Sequence, residues 1–394
     1  MIDIARIQAW AFRCPTMEPV ATSFGVMHDR PAVLVRIEDR DGAFGWGEIW
    51  ANWPAAGAEH RVRLLEMDLA HLVLDTKAAS PAEFFHKLDA RSRIRAVQCG
   101  EAGPFAQVIA GLDVALWDMA ARRKGLPLRR LIRAAAPNSV PAYASGIQIA
   151  AASDLMPRAR TDGHHRFKLK VGFDVEADIA AVCDIQAALA EHELIACDAN
   201  QAWSLEQSLQ FVTGVAIVPL HWLEEPLPVF ADTTQWQSLA DHSTIPLAGG
   251  ENIIGEADFD CAIKSGHLSV IQPDMTKWGG VSGCLAVARN ALANGRRYFP
   301  HFLGAGIGMA ASAELLAGVG GDGLLEVDVN DNPLRSMFFD VGEPVADGMW
   351  TCSDGPGLGI DVIPDGLEQF QTLYTEITQA SVDNHVAAIT PATR

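Results

Sequence analysis

The sequence predicts an α/β protein in which a closed barrel of parallel strands follows an N-terminal α+β unit. Three observations predict it. From Val140 onward, short apolar strands alternate with helical stretches, the texture of successive βα units. Eight such strands can be counted, at 141–145, 166–171, 194–198, 220–224, 246–250, 270–274, 298–301 and 324–326, and eight parallel strands close into a barrel. Most of them end in an ionisable residue: after Lys168 and Lys170 come Asp198, Glu224, Glu251, Asp274, His301 and Glu326. By subtraction these positions lie 23 to 28 residues apart, one βα unit each, and the C-terminal strand ends of a parallel barrel converge on one mouth.

The N-terminal unit reads as an antiparallel meander followed by helices. Residues 2–13, 31–40 and 43–50 are the strands, with Val33, Val35 and Ile37 alternating against more polar neighbours and Asp41-Gly42 as a turn. A loop is expected over 16–30, carrying Phe24, His28 and Arg30, and another after the third strand, carrying Trp50, Asn52 and Trp53. Singly such residues pack a small domain; as a group they suit a lid over a polar substrate. Helical periodicity covers 59–74, 81–91 and 106–124, the last ending at Gly125 and Pro127. This unit closes near residue 138.

The chain has 394 residues, 49% of them hydrophobic, enough to bury a large core and to form more than one domain. A formal net charge of −19 without a basic run argues against nucleic acid and against an anionic membrane surface as partners. Seven scattered cysteines show no metal-type pairing and read as reduced residues of a cytoplasmic protein. The start of the chain lacks the layout of a signal peptide. The longest apolar run, 302–321, approaches the length of a bilayer span, but Glu314 and six glycines make it a helix and loop within the barrel region.

In Arg166-Phe167-Lys168-Leu169-Lys170-Val171, period-two alternation points both lysines to one face and the apolar residues to the other. On a solvated edge the pair would merely snorkel; buried, burial and a like-charged neighbour would lower one ammonium's pKa towards that of a base. Asp198, Glu224 and Glu251 end three consecutive strands and offer oxygen donors only. That set selects a hard cation such as Mg²⁺. Asn200 is placed to bond one of these carboxylates or hold a water. Across the barrel lie Asp274 and His301, an acid–imidazole pair suited to proton transfer, and Glu326 completes the ring as a donor if protonated. A metal flanked by opposed proton-transfer groups suits removal of the proton α to a carboxylate, so a small-molecule carboxylate is the expected substrate.

This set resembles the enolase superfamily and, within it, the mandelate racemase branch. Lys168-Leu169-Lys170 is similar to that branch's Lys-x-Lys, the second lysine being the base; Cys197-Asp198-Ala199-Asn200, Glu224-Glu225-Pro226 and Gly249-Gly250-Glu251-Asn252 are similar to its metal-ligand segments. Asp274 and His301 match its His/Asp dyad, Glu326 its acid on the eighth strand, and Lys277 a partner of a ligand carboxylate. Asp274, where related branches carry lysine, favours the His/Asp branch, and Glu326-Val327-Asp328 only superficially echoes the Asp-x-Asp of the epimerases.

The resemblance implies a modified TIM barrel, (β/α)₇β, on residues 139–345, a capping domain on 1–138 with specificity loops near 16–30 and 50–56, and a segment 346–394 returning from barrel to cap. It implies Mg²⁺ as cofactor, a homo-oligomer, and dehydration of an acid sugar to a 2-keto-3-deoxy acid. Racemisation or epimerisation of a 2-hydroxy acid by Lys170 and His301 is the alternative. A non-catalytic scaffold on the same fold is a third reading.

Overall fold

The computed structural model describes residues 1–22, 25–339 and 344–383. Strands β1 (Ile2–Thr22), β2 (Gly25–Asp39) and β3 (Phe44–Ile49) form the expected meander, and β4 (Lys77–Ala78) pairs with the start of β1. Alternation sets the buried face: Ala9 pairs with Val35 and Ile7 with Ile37, all in one core. The Asp39 carboxylate accepts the amides of Asp41 and Ala43 and so fixes the turn between β2 and β3.

The expected loop over 16–30 is instead the far end of the β1–β2 hairpin. Past a bulge between Pro15 and Val20, the ladder resumes with Val20 opposite Met27. Pro15 and Pro19 hide the strand in the sequence: between Pro15 and Val20 the ladder leaves residues 16–19 of β1 unpaired opposite His28 alone on β2. Phe24 lies outside the described residues.

Helices α1 (Gly57–Leu64), α2 (Ala70–Asp75), α3 (Pro81–Gln98), α4 (Ala102–Arg123) and α5 (Leu128–Ile132) cover the sheet and lead to the barrel. A π turn at Leu65–Leu69 splits the single helix expected over 59–74. Ser80 caps α3 through the Glu83 amide, with Pro81 in the first turn. Helix α4 lies directly on β3 because Gly45 and Gly47 have no side chain: a Cβ at either would stand 2.0 Å from a carbonyl oxygen of α4.

Eight parallel strands follow: β5 (Ser139–Gln148), β6 (Arg166–Lys170), β7 (Leu194–Asp198), β8 (Leu223–Glu224), β9 (Leu247–Gly249), β10 (Val270–Ile271), β11 (Arg297–Tyr298) and β12 (Leu325–Asp328). They pair in chain order from β5 to β11, and β12 closes on β5. Seven helices connect them: α6 (Ala152–Thr161), α7 (Val175–Ala187), α8 (Leu205–Gly214), α9 (Thr233–His242), α10 (Glu256–Ser265), α11 (Gly280–Ala293) and α12 (Gly306–Val319). The eighth unit ends in the single turn α13 (Pro333–Ser336), which makes the barrel (β/α)₇β. Strands β8 to β11 are shorter than the sequence suggests. Glu251, Asp274 and His301 therefore stand two or three residues beyond the last paired positions, on the loops of the mouth.

The hairpin β13 (Val345–Ala346) and β14 (Met349–Thr351) lies antiparallel on β5, so the expected boundary at 345/346 falls within it. Strand β15 (Gln371–Thr378) then pairs with β1. The apolar run at 302–321 is α12, packed against α5, α11 and β3, and no helix among the described residues is long and apolar enough to cross a membrane.

Carboxylates from the N-terminal unit hold the two parts together by capping barrel helices. Glu48 on β3 accepts the Ala305 and Gly308 amides at the start of α12, at 2.6 and 2.7 Å. Asp113 on α4 accepts the Ser282 amide and hydroxyl at the start of α11. Buried Arg129 on α5 reaches Glu314 on α12 at 2.6 Å.

Candidate active site

The alternation of β6 sends Phe167 and Leu169 outward into the barrel–helix core and both lysines inward. Lys168 is fully buried and donates to both Glu224 oxygens, at 2.9 and 2.8 Å, with Glu326 Oε1 at 2.7 Å and Asp198 Oδ2 at 3.5 Å. Lys170 donates to Asp198 Oδ2 at 2.6 Å and Asn200 Oδ1 at 3.0 Å. Trp222 and Gln272 also donate to Glu224. Asn200, Gln201 and Glu225 hold positive φ angles, 44°, 65° and 39°, at the ends of β7 and β8; such backbone clusters at functional sites.

On the other side of the mouth, His301 Nδ1 lies 2.8 Å from Asp274 Oδ2 and Nε2 lies 3.0 Å from Glu251 Oε2. Since a carboxylate only accepts, Nδ1 donates to Asp274, whose other oxygen accepts the Thr276 amide and hydroxyl. Lys277 joins Glu251 at 3.2 Å and Asn252 at 2.8 Å, 5.0 Å over the Trp50 ring. Glu326 accepts the Ser145 hydroxyl and the Phe302 amide, which bridges the seam between β11 and β12.

Two electrostatic expectations are corrected. Burial opposes both ammoniums, but Glu224 and Glu326 for Lys168, and Asp198 for Lys170, outweigh it and hold both pKa values above the ordinary lysine value. The lysines are outnumbered by carboxylates, so like-charge repulsion does not govern the pair. Glu326, which would be a donor only if protonated, is kept ionised: burial raises its pKa, yet Lys168, His301 and Lys170 bring it down to about 2. Burial likewise disfavours the His301 imidazolium, but Glu251, Glu326 and Asp274 push it up to about 9. Glu224 is raised to about 7 by burial and by Asp198.

A cavity of about 330 Å³ opens between the barrel mouth and the N-terminal unit. Lys170, Glu251, His301 and Glu326 reach its surface, and Lys168, Asp198, Glu224 and Asp274 are buried behind them. Trp50, Asn52, Trp53, Asn200 and Lys277 line it, as do Val20 and Met27 from the hairpin. His28 and Arg30 do not. His28 is exposed, with its carbonyl bonded to Thr16; Arg30 is buried behind the wall, ion-paired with Asp328 at 2.8 Å. Sequence reasoning missed Ser145, Gln148, Gln201, Asn252, Asp328 and Asn330. The period-two face shared by Glu326 and Asp328 was the available signal for one of them; Ser145 and Gln148 end the one barrel strand without an ionisable terminus.

Among the described residues, no three His, Cys, Asp or Glu side chains already converge as a metal cage; Asp198, Glu224 and Glu251 are each held by a neighbouring cation. Their chemistry nonetheless fits a hard divalent ion. Asp198 and Glu224 end β7 and β8, Glu251 follows β9, and all three offer oxygen only; burial, and then the Asp198 charge, raise the pKa of Glu224.

Sequence comparison matches residues 6–132 to the family description "Mandelate racemase / muconate lactonizing enzyme, N-terminal domain" and residues 151–366 to "Enolase C-terminal domain-like". The chain belongs to the mandelate racemase/muconate lactonizing enzyme family. It is accordingly an enolase-superfamily enzyme. A mandelate racemase/muconate lactonizing enzyme structure from Bordetella bronchiseptica RB50 is 47% identical, with a TM-score of 0.86 over 92% of this chain and 97% of that one. A racemase from Streptomyces coelicolor A3(2), solved with bound magnesium, is 26% identical, with a TM-score of 0.82 over 94% of this chain and all of its own. The D-galactarolactone cycloisomerase of Agrobacterium fabrum is 28% identical over 365 residues, 89% of this chain and 94% of its own. Family relatives also include an arabinonate dehydratase, a muconate cycloisomerase and a hydrophobic dipeptide epimerase.

Proposed function

We propose that the protein dehydrates an acid sugar to a 2-keto-3-deoxy acid, using Mg²⁺ held by Asp198, Glu224 and Glu251. The observation that carries this reading is the placement of Lys170 and His301. They belong to β6 and to the loop after β11, three strands apart one way round the barrel and five the other, and both reach the same cavity. A substrate between them presents one face to an amine and the other to an imidazole.

Asp198, the carboxylate that keeps Lys170 protonated, is one of the groups that would hold the metal; with Asp198 so engaged the ammonium loses that partner, and Lys170 Nζ, as the neutral amine, takes the C2 proton. His301, held as an imidazolium by Asp274 and Glu251, gives its Nε2 proton to the C3 oxygen, the C3–O bond breaks, and water leaves. The enol that remains takes a proton at C3 and gives up its C2 hydroxyl proton to water, becoming the 2-keto acid. Bound Mg²⁺ would supply the positive charge that offsets the carboxylate as its α-carbon loses a proton. Lys168 sits between Glu224 and Glu326 and orients both; Lys277 does the same for Glu251.

Proton NMR with Mg²⁺ in D₂O tests this against aldonic, aldaric and aryl 2-hydroxy acids. Loss of the C2 signal with a new deuterium-bearing C3 methylene is the expected result. Exchange at C2 with inversion and no elimination would reassign the enzyme as a racemase or epimerase. No exchange with any acid, with Mg²⁺ demonstrably bound, would refute both.

A further inference from the structure

The contacts that the N-terminal unit makes around the Asp274–His301 pair carry one step more, resting on the acid-sugar reading above. Asp274 and His301 each stand three positions past a strand of two residues, β10 and β11, and the His301 amide meets the Pro273 carbonyl at 3.3 Å. Strands this short leave the placement of the two loops to what packs around them. One stretch of the N-terminal unit, Glu48 to Asn52, packs on both. Its side chains alternate: Ile49 and Ala51 are buried in the core of that unit, whereas Glu48, Trp50 and Asn52 point to the barrel.

Two of the three hold the segment after His301. Asn52 donates its NH₂ group to the Leu303 carbonyl at 2.9 Å, and Glu48 accepts the Ala305 and Gly308 amides at the start of α12. The third holds the segment after Asp274. The Trp50 amide donates to the Thr276 carbonyl at 3.3 Å, and the Trp50 ring lies 5.0 Å from the Lys277 ammonium, within cation–π range. From there the bonds run to the pair itself. Thr276 gives its amide and hydroxyl to Asp274 Oδ1, at 2.8 and 2.6 Å, and Asp274 Oδ2 accepts His301 Nδ1 at 2.8 Å. Lys277 donates to Glu251 Oε2 at 3.2 Å, the same oxygen that His301 Nε2 meets at 3.0 Å. Both ring nitrogens of His301 are thus tied to Trp50, by way of Thr276 and Asp274 on one side and of Lys277 and Glu251 on the other, and the loop that carries the ring is tied to Asn52.

We propose that Trp50 and Asn52 are positioning residues for the proton transfer at His301: with Glu48 they clamp the loops after β10 and β11, so the N-terminal unit fixes the acid as well as closing the cavity. Trp50→Leu removes the ring, Asn52→Leu removes the donor at similar volume, and Trp50→Phe keeps a ring beside Lys277. On the Mg²⁺-loaded proteins, NMR in D₂O gives kcat, KM and the partition between C2 exchange and elimination. Crystal structures of wild type and variants give the His301–Asp274 and His301–Glu251 separations. Elimination should fall at least about tenfold in kcat in both leucine variants, since a misplacement of about 1 Å can cost about a hundredfold. C2 exchange by Lys170 should persist, KM should change by less than about threefold, and Trp50→Phe should recover most of the rate. A raised KM with kcat unchanged would mark Trp50 and Asn52 as substrate contacts and overturn the proposal, as would a Trp50→Phe variant no faster than Trp50→Leu. If wild type turns over no acid, the dehydratase reading fails separately and the crystal structures decide: His301 displaced from Asp274 and Glu251 in the leucine variants supports the clamp, and unchanged separations overturn it.

Discussion

Replacing Glu48 with glutamine isolates the energetics of the contact that ties the N-terminal unit to the helix after His301. Glu48 is buried, and its carboxylate accepts two amides of α12. Burial raises its pKa from the ordinary 4.5 to about 7, with the Ala305 and Gly308 amides opposing the shift but not cancelling it. Between those two values the native state holds a proton that the unfolded chain releases. The Glu48 contribution is thus fully present below about pH 4.5 and is lost as pH rises through 7. At about 1.4 kcal/mol per pKa unit the swing is about 3 kcal/mol. Glutamine cannot titrate, so the stability of wild type minus that of Glu48→Gln should fall by about 3 kcal/mol between pH 5 and pH 8. Urea unfolding of both proteins across that range measures it. A signed difference that stays constant or rises with pH would show that the helix N-terminus stabilises the anion at least as much as burial disfavours it, and the reasoning would fail.

Other perturbations separate the roles assigned in the site. Lys170→Ala should abolish exchange of the C2 proton, lowering kcat by at least about a hundredfold, with the protein still folded by circular dichroism. His301→Asn should remove the acid while sparing the base, so that NMR in D₂O detects C2 exchange without the C3 methylene. Arg129→Met leaves Glu314 buried without its partner, and thermal or urea unfolding should show a loss of about 3–5 kcal/mol.

What the sequence makes legible follows from period. The lysines of β6 are two apart and must share a face; Asp198 and Glu224 at the ends of β7 and β8, and Glu251 just past β9, recur at one βα unit and must share a mouth. The structure brings Lys168, Asp198, Glu224 and Glu326 within ion-pair distance in that way. Arg30 was illegible because its partner Asp328 lies 298 residues away, and only the folded hairpin shows that its charge is used inside the wall. The hairpin itself was hidden because pairing across a proline-containing bulge is a backbone property, with weak alternation to announce it. Protonation states were misjudged because counting neighbours along one strand omits carboxylates arriving from the strands beside it.

That omission also bears on the metal. Asp198, Glu224, Glu225, Glu251, Asp274 and Glu326 face Lys168, Lys170, Lys277 and an imidazolium at His301, so the fully ionised cluster carries two excess negative charges. The cost falls on the glutamates at the end of β8: burial first and neighbouring carboxylates next raise Glu224 to about 7 and raise Glu225 well above the ordinary carboxyl value. A divalent cation is equal to the excess in size and opposite in sign. Its binding must then compete with protons on these groups, so Mg²⁺ affinity should rise with pH from about 6 to 8. Calorimetry in buffers of different ionisation enthalpy should register about one proton released per ion near pH 7. At a hundred times its Kd, Mg²⁺ should stabilise the fold by about 2.7 kcal/mol. Glu224→Gln should lose the stabilisation and the proton release together. Binding that is independent of pH and releases no proton would mean that the ion is not held by this cluster.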